Sequence, residues 1–211
     1  MIFKNRIQAA SLLAQNLTQY RGFNPLVLAI PRGGVPLGRV IADVLGGELD
    51  VLMVRKLGAP RDSELAIGAV SEDGEVFISS IASKVGADEE YIEAEVGRQI
   101  YLMHRRRALY TPVRAPISPK NRVVIVVDDG LATGATMMTG LRALQNLGPT
   151  KLICALPVAA SNSLGALSQY CDEVVCLSAE ENFTGVGAYY EDFSQVQDSE
   201  VIALLAGGQG I

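Results

Sequence analysis

The sequence predicts an α/β fold: a mostly parallel central sheet with helices on both faces. Three observations carry that expectation. Apolar runs of strand length alternate with stretches of helical spacing along the chain. Those runs are continuously apolar, at 26–30 and 123–127 above all, as strands buried on both faces must be. The 211 residues are 49% apolar, enough for one full core without a disulfide or metal staple, so a single domain over 1–211 is expected.

In order along the chain, Ile7, Ala10, Leu13 and Leu17 share one helical face, so 6–20 reads as a helix stopped by Arg21-Gly22. The strand at 26–30 is broken by Pro31-Arg32-Gly33-Gly34, and Pro36 opens a helix to about Leu45. A second strand is expected at 48–54. Gly58, Pro60, Arg61, Asp62 and Ser63 give 57–66 the chemistry of a loop. Strands at 66–70 and 76–79 flank Glu72-Asp73-Gly74 as a hairpin. A long helix over 88–110 has acids early and Arg105, Arg106 and Arg107 late, an order that complements the helix dipole. A proline-containing connection over 111–122 comes next. Strands at 123–127, 152–156 and 173–177 then alternate with helices at 134–147, 162–170 and 198–206.

Charge and cysteine usage exclude several classes. Lys and Arg total 18 against 23 Asp and Glu, a net charge of −5, without the basic footprint of a nucleic-acid binder. Cys154, Cys171 and Cys176 form no CxxC pair, and the one histidine is His104, so a zinc site is not expected. No signal peptide fits the amino terminus and no apolar run reaches the roughly 18–20 residues of a membrane span. A soluble, cytoplasmic protein is expected.

Ligands of parallel sheets bind beyond the carboxyl ends of the strands, so the residues just past each strand are informative. After 123–127 come Asp128, Asp129, Gly130, Leu131, Ala132, Thr133, Gly134, Ala135 and Thr136. A helix start with free N–H groups, preceded by glycines and hydroxyls, is an anion cradle. Two carboxylates beside it make sense if the ligand also carries vicinal hydroxyls or a bridging cation. A plain strand–turn–helix with an aspartate cap explains one of these acids, not two plus Thr-Gly-x-Thr. The loop is neither a Walker A sequence nor GxGxxG.

The stretch VVIVVDDGLATGAT resembles the 5-phosphoribosyl-1-pyrophosphate signature of type I phosphoribosyltransferases. The resemblance implies that fold, with a small hood from the N-terminal and 178–211 segments and a flexible lid loop, 57–66 or about 57–78 with its hairpin. It implies that Asp128 and Asp129 hold the ribose hydroxyls and that 130–136 wraps the 5′-phosphate. Pro31 to Gly34 matches the family's pyrophosphate loop, often with a cis peptide, where Arg32 and the N–H groups of Gly33 and Gly34 are donors. Arg55 and Lys56 match basic residues that reach the leaving pyrophosphate, and Arg61 is the lid's candidate cation. Magnesium is expected as cofactor, held through the substrate, with Asp128 and Asp129 reaching it by way of water and no direct protein ligand.

The implied reaction is transfer of the 5-phosphoribosyl group to a nitrogenous acceptor with release of pyrophosphate, as in nucleotide salvage. The implied partners are the sugar donor and a small acceptor, without nucleic acid or membrane; a homodimer is compatible. After Lys151 the chain has no Lys or Arg, whereas purine members of the family usually have a lysine there. Phe183 is the candidate for stacking a flat base. The whole chain, FTGVGAYYEDFSQ included, is similar to stand-alone predicted phosphoribosyltransferases of unassigned acceptor. The competing expectation is a non-catalytic regulator that binds the same sugar or a nucleotide.

Overall fold

The computed structural model describes residues 1–207, with only the backbone of Glu64; the last four residues of the expected 178–211 hood segment lie outside the described residues. Its parallel sheet comprises β1 (Leu26–Ala29), β2 (Glu48–Val51), β6 (Val123–Val127), β7 (Lys151–Ala160) and β8 (Glu173–Glu180), in the order β2-β1-β6-β7-β8. A separate antiparallel sheet comprises β3 (Val54–Ala59), β4 (Asp62–Ser71) and β5 (Val76–Ile78). The helices are α1 (Arg6–Gln15), α2 (Gly34–Leu45), α3 (Ile81–Lys84), α4 (Glu89–Tyr110), α5 (Ala135–Gln145), α6 (Ser161–Leu167) and α7 (Asp198–Leu205).

Side-chain alternation divides the core between the two faces of the parallel sheet. Val27, Ala29, Leu49, Val51, Ile125, Val127, Ile153 and Ala155 join one buried cluster with α1, α2 and α7. Leu26, Leu28, Val124, Val126, Leu152, Cys154 and Leu156 join the other, with α5 and α6. Both faces are covered, which explains why the central strands β1, β6 and β7 carry no polar alternation.

Helix ends reflect local chemistry. Asn5 caps α1 by accepting the Gln8 N–H at 3.0 Å, and Asp88 caps α4 by accepting that of Tyr91 at 2.9 Å. Gly46, at φ 67°, closes α2 in the left-handed conformation that glycine adopts without a Cβ clash.

Three expectations are corrected. The first helix stops at Gln15, and a separate 3-10 turn spans Thr18–Tyr20, where Tyr20 OH reaches Glu173. The strand expected over 48–54 ends at Val51; the chain then changes sheets, with Glu72 N–H donating to the Met53 carbonyl at 3.0 Å. The stretch 57–66 is not irregular in structure but forms the turn end of the β3–β4 hairpin, with Pro60 and Arg61 between its strands. Gly58, read as a loop residue, sits at a register shift in β3. Its carbonyl accepts Tyr91 OH at 2.9 Å from α4, while Leu57 and Ile67 are fully buried in the core. Long-range packing overrides the loop composition there.

Candidate active site

The strand order reverses between β1 and β6. The chain goes from β1 outward to β2, then returns to lay β6 on the other side of β1. Ala29 and Val127 are register partners, so the loops leaving these strands start side by side. That switch point is where a crevice opens in such sheets.

Both loops line a cleft of about 390 Å³. Ile30, Pro31 and Gly33 come from the first, Asp128, Asp129 and Thr136 from the second; Met53, Val54, Arg55 and Lys56 close the opposite wall with Arg106 of α4. The Pro31–Arg32 peptide bond is cis. Gly33 and Gly34 are required by proximity: a Cβ on Gly33 would lie 2.0 Å from Asp129 Oδ2, and one on Gly34 2.6 Å from the Val127 carbonyl oxygen.

Asp128 and Asp129 are deeply placed at the floor. Asp128 Oδ1 accepts the Asp129 N–H at 2.8 Å. Burial pushes the Asp128 carboxyl well above the usual carboxylate range, and the charge of Asp129 adds to the rise. Burial raises Asp129 too, against the opposing pull of Arg6. Two like charges in a low-dielectric crease are costly until a ligand's hydroxyls or a cation meets them.

The loop after β6 is held by its hydrophobic residues and left open by its small ones. Leu131 is buried; its N–H donates to the Val158 carbonyl at 3.0 Å, and its carbonyl accepts the Ala160 N–H at 2.9 Å. Ser163 Oγ donates to the Ala132 carbonyl at 2.6 Å. Ala132 and Thr133 are exposed between these anchors. Gly134, at φ 80°, turns the chain into α5, whose first-turn N–H groups have no intrahelical acceptor. Ala135 packs beside Val54 and Ala69, which brings the second sheet against this helix.

Of the expected cations, Arg55 and Lys56 line the cleft, but from the start of β3 rather than the end of a parallel strand. Burial lowers the Arg55 pKa, with further lowering by Arg106 and Arg98. Arg32 turns its guanidinium toward Asp198, with Nη1 and Oδ2 3.8 Å apart. Arg61 is exposed at the hairpin turn and is not among the lining residues. Phe183 is also outside the lining; its ring stacks on Tyr189 with centroids 5.3 Å apart. Its loop nonetheless reaches the loop after β6, since a Cβ on Gly130 would meet Val186 Cγ1 at 2.6 Å.

Sequence reasoning missed Arg6. Its Nε donates to Asp129 Oδ2 at 2.9 Å, its Nη1 donates to the Ser194 carbonyl at 2.8 Å, and its guanidinium lies 4.0 Å from the Phe193 ring centroid. Paired main-chain bonds place it there: Phe3 N–H to the Tyr189 carbonyl and Glu191 N–H to the Phe3 carbonyl, both 2.8 Å. Tyr190 OH donates to the Asp129 carbonyl at 2.6 Å. The only local hint was a cation beside an asparagine cap.

Among the described residues no helix is long and apolar enough to cross a membrane. The family model of the phosphoribosyl transferase domain matches residues 2–193. Over 205 residues the chain is 38% identical to the Mycobacterium tuberculosis H37Rv protein named "Putative phosphoribosyl transferase Rv0571c". That match takes in 97% of this chain and 46% of the other, so the chain spans about half the length of the curated relatives it matches. The crystal structure of TT1426 from Thermus thermophilus is similar with a TM-score of 0.82 and 43% identity, over 100% of each chain.

Proposed function

Because this chain belongs to the phosphoribosyl transferase domain family, we propose that it transfers the 5-phosphoribosyl group from 5-phosphoribosyl-1-pyrophosphate to a small nitrogenous acceptor and releases pyrophosphate. One observation carries the reading. A half-buried pair of carboxylates and a phosphate-type loop face two cations across a single cleft.

Displacement at an anomeric carbon builds positive charge on the sugar and negative charge on the departing pyrophosphate. Asp128 and Asp129 would take the ribose hydroxyls and hold negative charge beneath the ring. The open N–H groups and hydroxyls over 133–136 would take the 5′-phosphate. Arg55 and Lys56, with the N–H groups of Gly33 and Gly34, would meet the pyrophosphate where charge develops. An inward swing of the hairpin tip would bring Arg61 to the same group. The acceptor would lie over Phe183, with its ring already held against Tyr189.

The donor set fits magnesium carried by the substrate. Adjoining carboxylates with raised proton affinity favour a nearby cation. Asp128 and Asp129 would reach its bound waters, and the ion would screen the charge of the donor's phosphates.

Calorimetric titration with the sugar donor and magnesium tests the assignment. Replacing Asp128 and Asp129 together by Asn should abolish binding and leave the circular dichroism spectrum unchanged; unaltered affinity would refute it. Pyrophosphate release across a panel of nucleobases then tests turnover. Donor binding with no release from any base would point instead to a sensor.

A further inference from the structure

We propose that Arg106, on the long helix α4 and outside every sequence signature of the site, is a further pyrophosphate-binding residue. The inference rests on donor binding at the cleft and adds a contact from a different element.

Three consecutive arginines near the end of α4 point in three directions, as a rotation of about 100° per residue requires. Arg105 faces outward, with its guanidinium 5.9 Å from the Tyr101 ring centroid. Arg107 turns inward to the buried Asp50, donating from Nη1 and Nη2 at 2.9 and 3.2 Å. Arg106 alone of the three lines the cleft, beside Arg55 and Lys56.

The surroundings of Arg106 explain why its charge is available to a ligand. Its Nε lies 3.5 Å from Asp198 Oδ1, and Arg32 approaches the other oxygen of that carboxylate at 3.8 Å. Asp198 also accepts Tyr110 OH at 2.5 Å. One carboxylate thus faces two guanidiniums at long range and is already hydrogen-bonded. Close ion pairs elsewhere, such as Arg107 with Asp50, are near 2.9 Å. Arg106 also crowds Arg55, whose pKa is lowered first by burial and then by Arg106. Like charges gathered at the mouth of a cleft are relieved by a polyanion. The acidic pair lies on the floor, so the cationic wall suits the pyrophosphate end of a donor rather than its ribose.

The test is titration of inorganic pyrophosphate with magnesium, and separately of ribose 5-phosphate, into the wild-type chain and three variants. Arg106→Gln should weaken pyrophosphate at least tenfold, flatten its salt dependence, and change ribose 5-phosphate less than twofold. Arg106→Lys should fall between Gln and wild type, and Arg105→Gln should match wild type. Unchanged pyrophosphate affinity in Arg106→Gln, or equal loss of both ligands in Gln and Lys, would overturn the assignment of Arg106. Failure of the wild-type chain to bind either ligand would overturn the donor reading as well. Melting temperatures of the variants identify any loss caused by unfolding.

Discussion

Arg6 and Asp129 form an ion pair whose side chains are 11% and 14% exposed, so neither charge is well solvated if its partner is removed. Arg6→Met should therefore cost about 3 kcal/mol in urea unfolding near neutral pH. Asp129→Asn added to it should recover much of the loss, since the stranded charge is gone; two additive losses would show that the pair is uncoupled. The acid pair itself was legible in the sequence, because two carboxylates and Thr-Gly-x-Thr after an apolar run have no packing explanation. Arg6 was not. Nothing near position 6 announces that main-chain pairing of Phe3 with 189–191 will carry a helix-start residue to the end of β6. Arg32 shows the reverse case: its position in the β1 loop was readable, but the direction of its guanidinium depends on Asp198, a contact across the fold.

At the level of elements, the alternation of strands and helices and the chemistry of the caps were written locally and could be read. The β3–β4 hairpin was not, because Gly58, Pro60 and Asp62 carry turn chemistry while the forces that hold the segment are remote. Glu95 illustrates them. Burial alone would raise its pKa, yet hydrogen bonds from Arg98, Gln99 and the Gly58 N–H bring it below the ordinary value. Hydrogen exchange separates hairpin from loop. In the ligand-free protein, the amides of Leu57 and Ile67 should be protected far longer than that of Arg61 at the turn. Exchange of all three within seconds would restore the loop reading. The β7 strand, expected over 152–156, is a second case: it runs on through Pro157, and Val158 and Ala160 catch Leu131.

For the whole molecule, the site sets a cost on folding that depends on pH. The carboxyls of Asp128 and Asp129 bind protons more readily in the folded chain than in the unfolded one. Between the ordinary carboxylate range and the raised values, the native state therefore holds more protons, and unfolding free energy falls as pH climbs through that window. Asp128→Asn should flatten the fall and raise the melting temperature near neutrality by roughly 2–4 °C while ruining donor binding. A wild-type slope retained in the variant would contradict this. The pairing of Arg6 with Asp129 also has a use for ligand discovery. A small amidine that reaches the crease would compete with a guanidinium already seated there. Winning that contest would release the Arg6 guanidinium while the main-chain bonds of Phe3 to 189–191 stay in place, so a fragment chosen merely to neutralise an acid would also disturb the guanidinium's seat on Ser194 and Phe193.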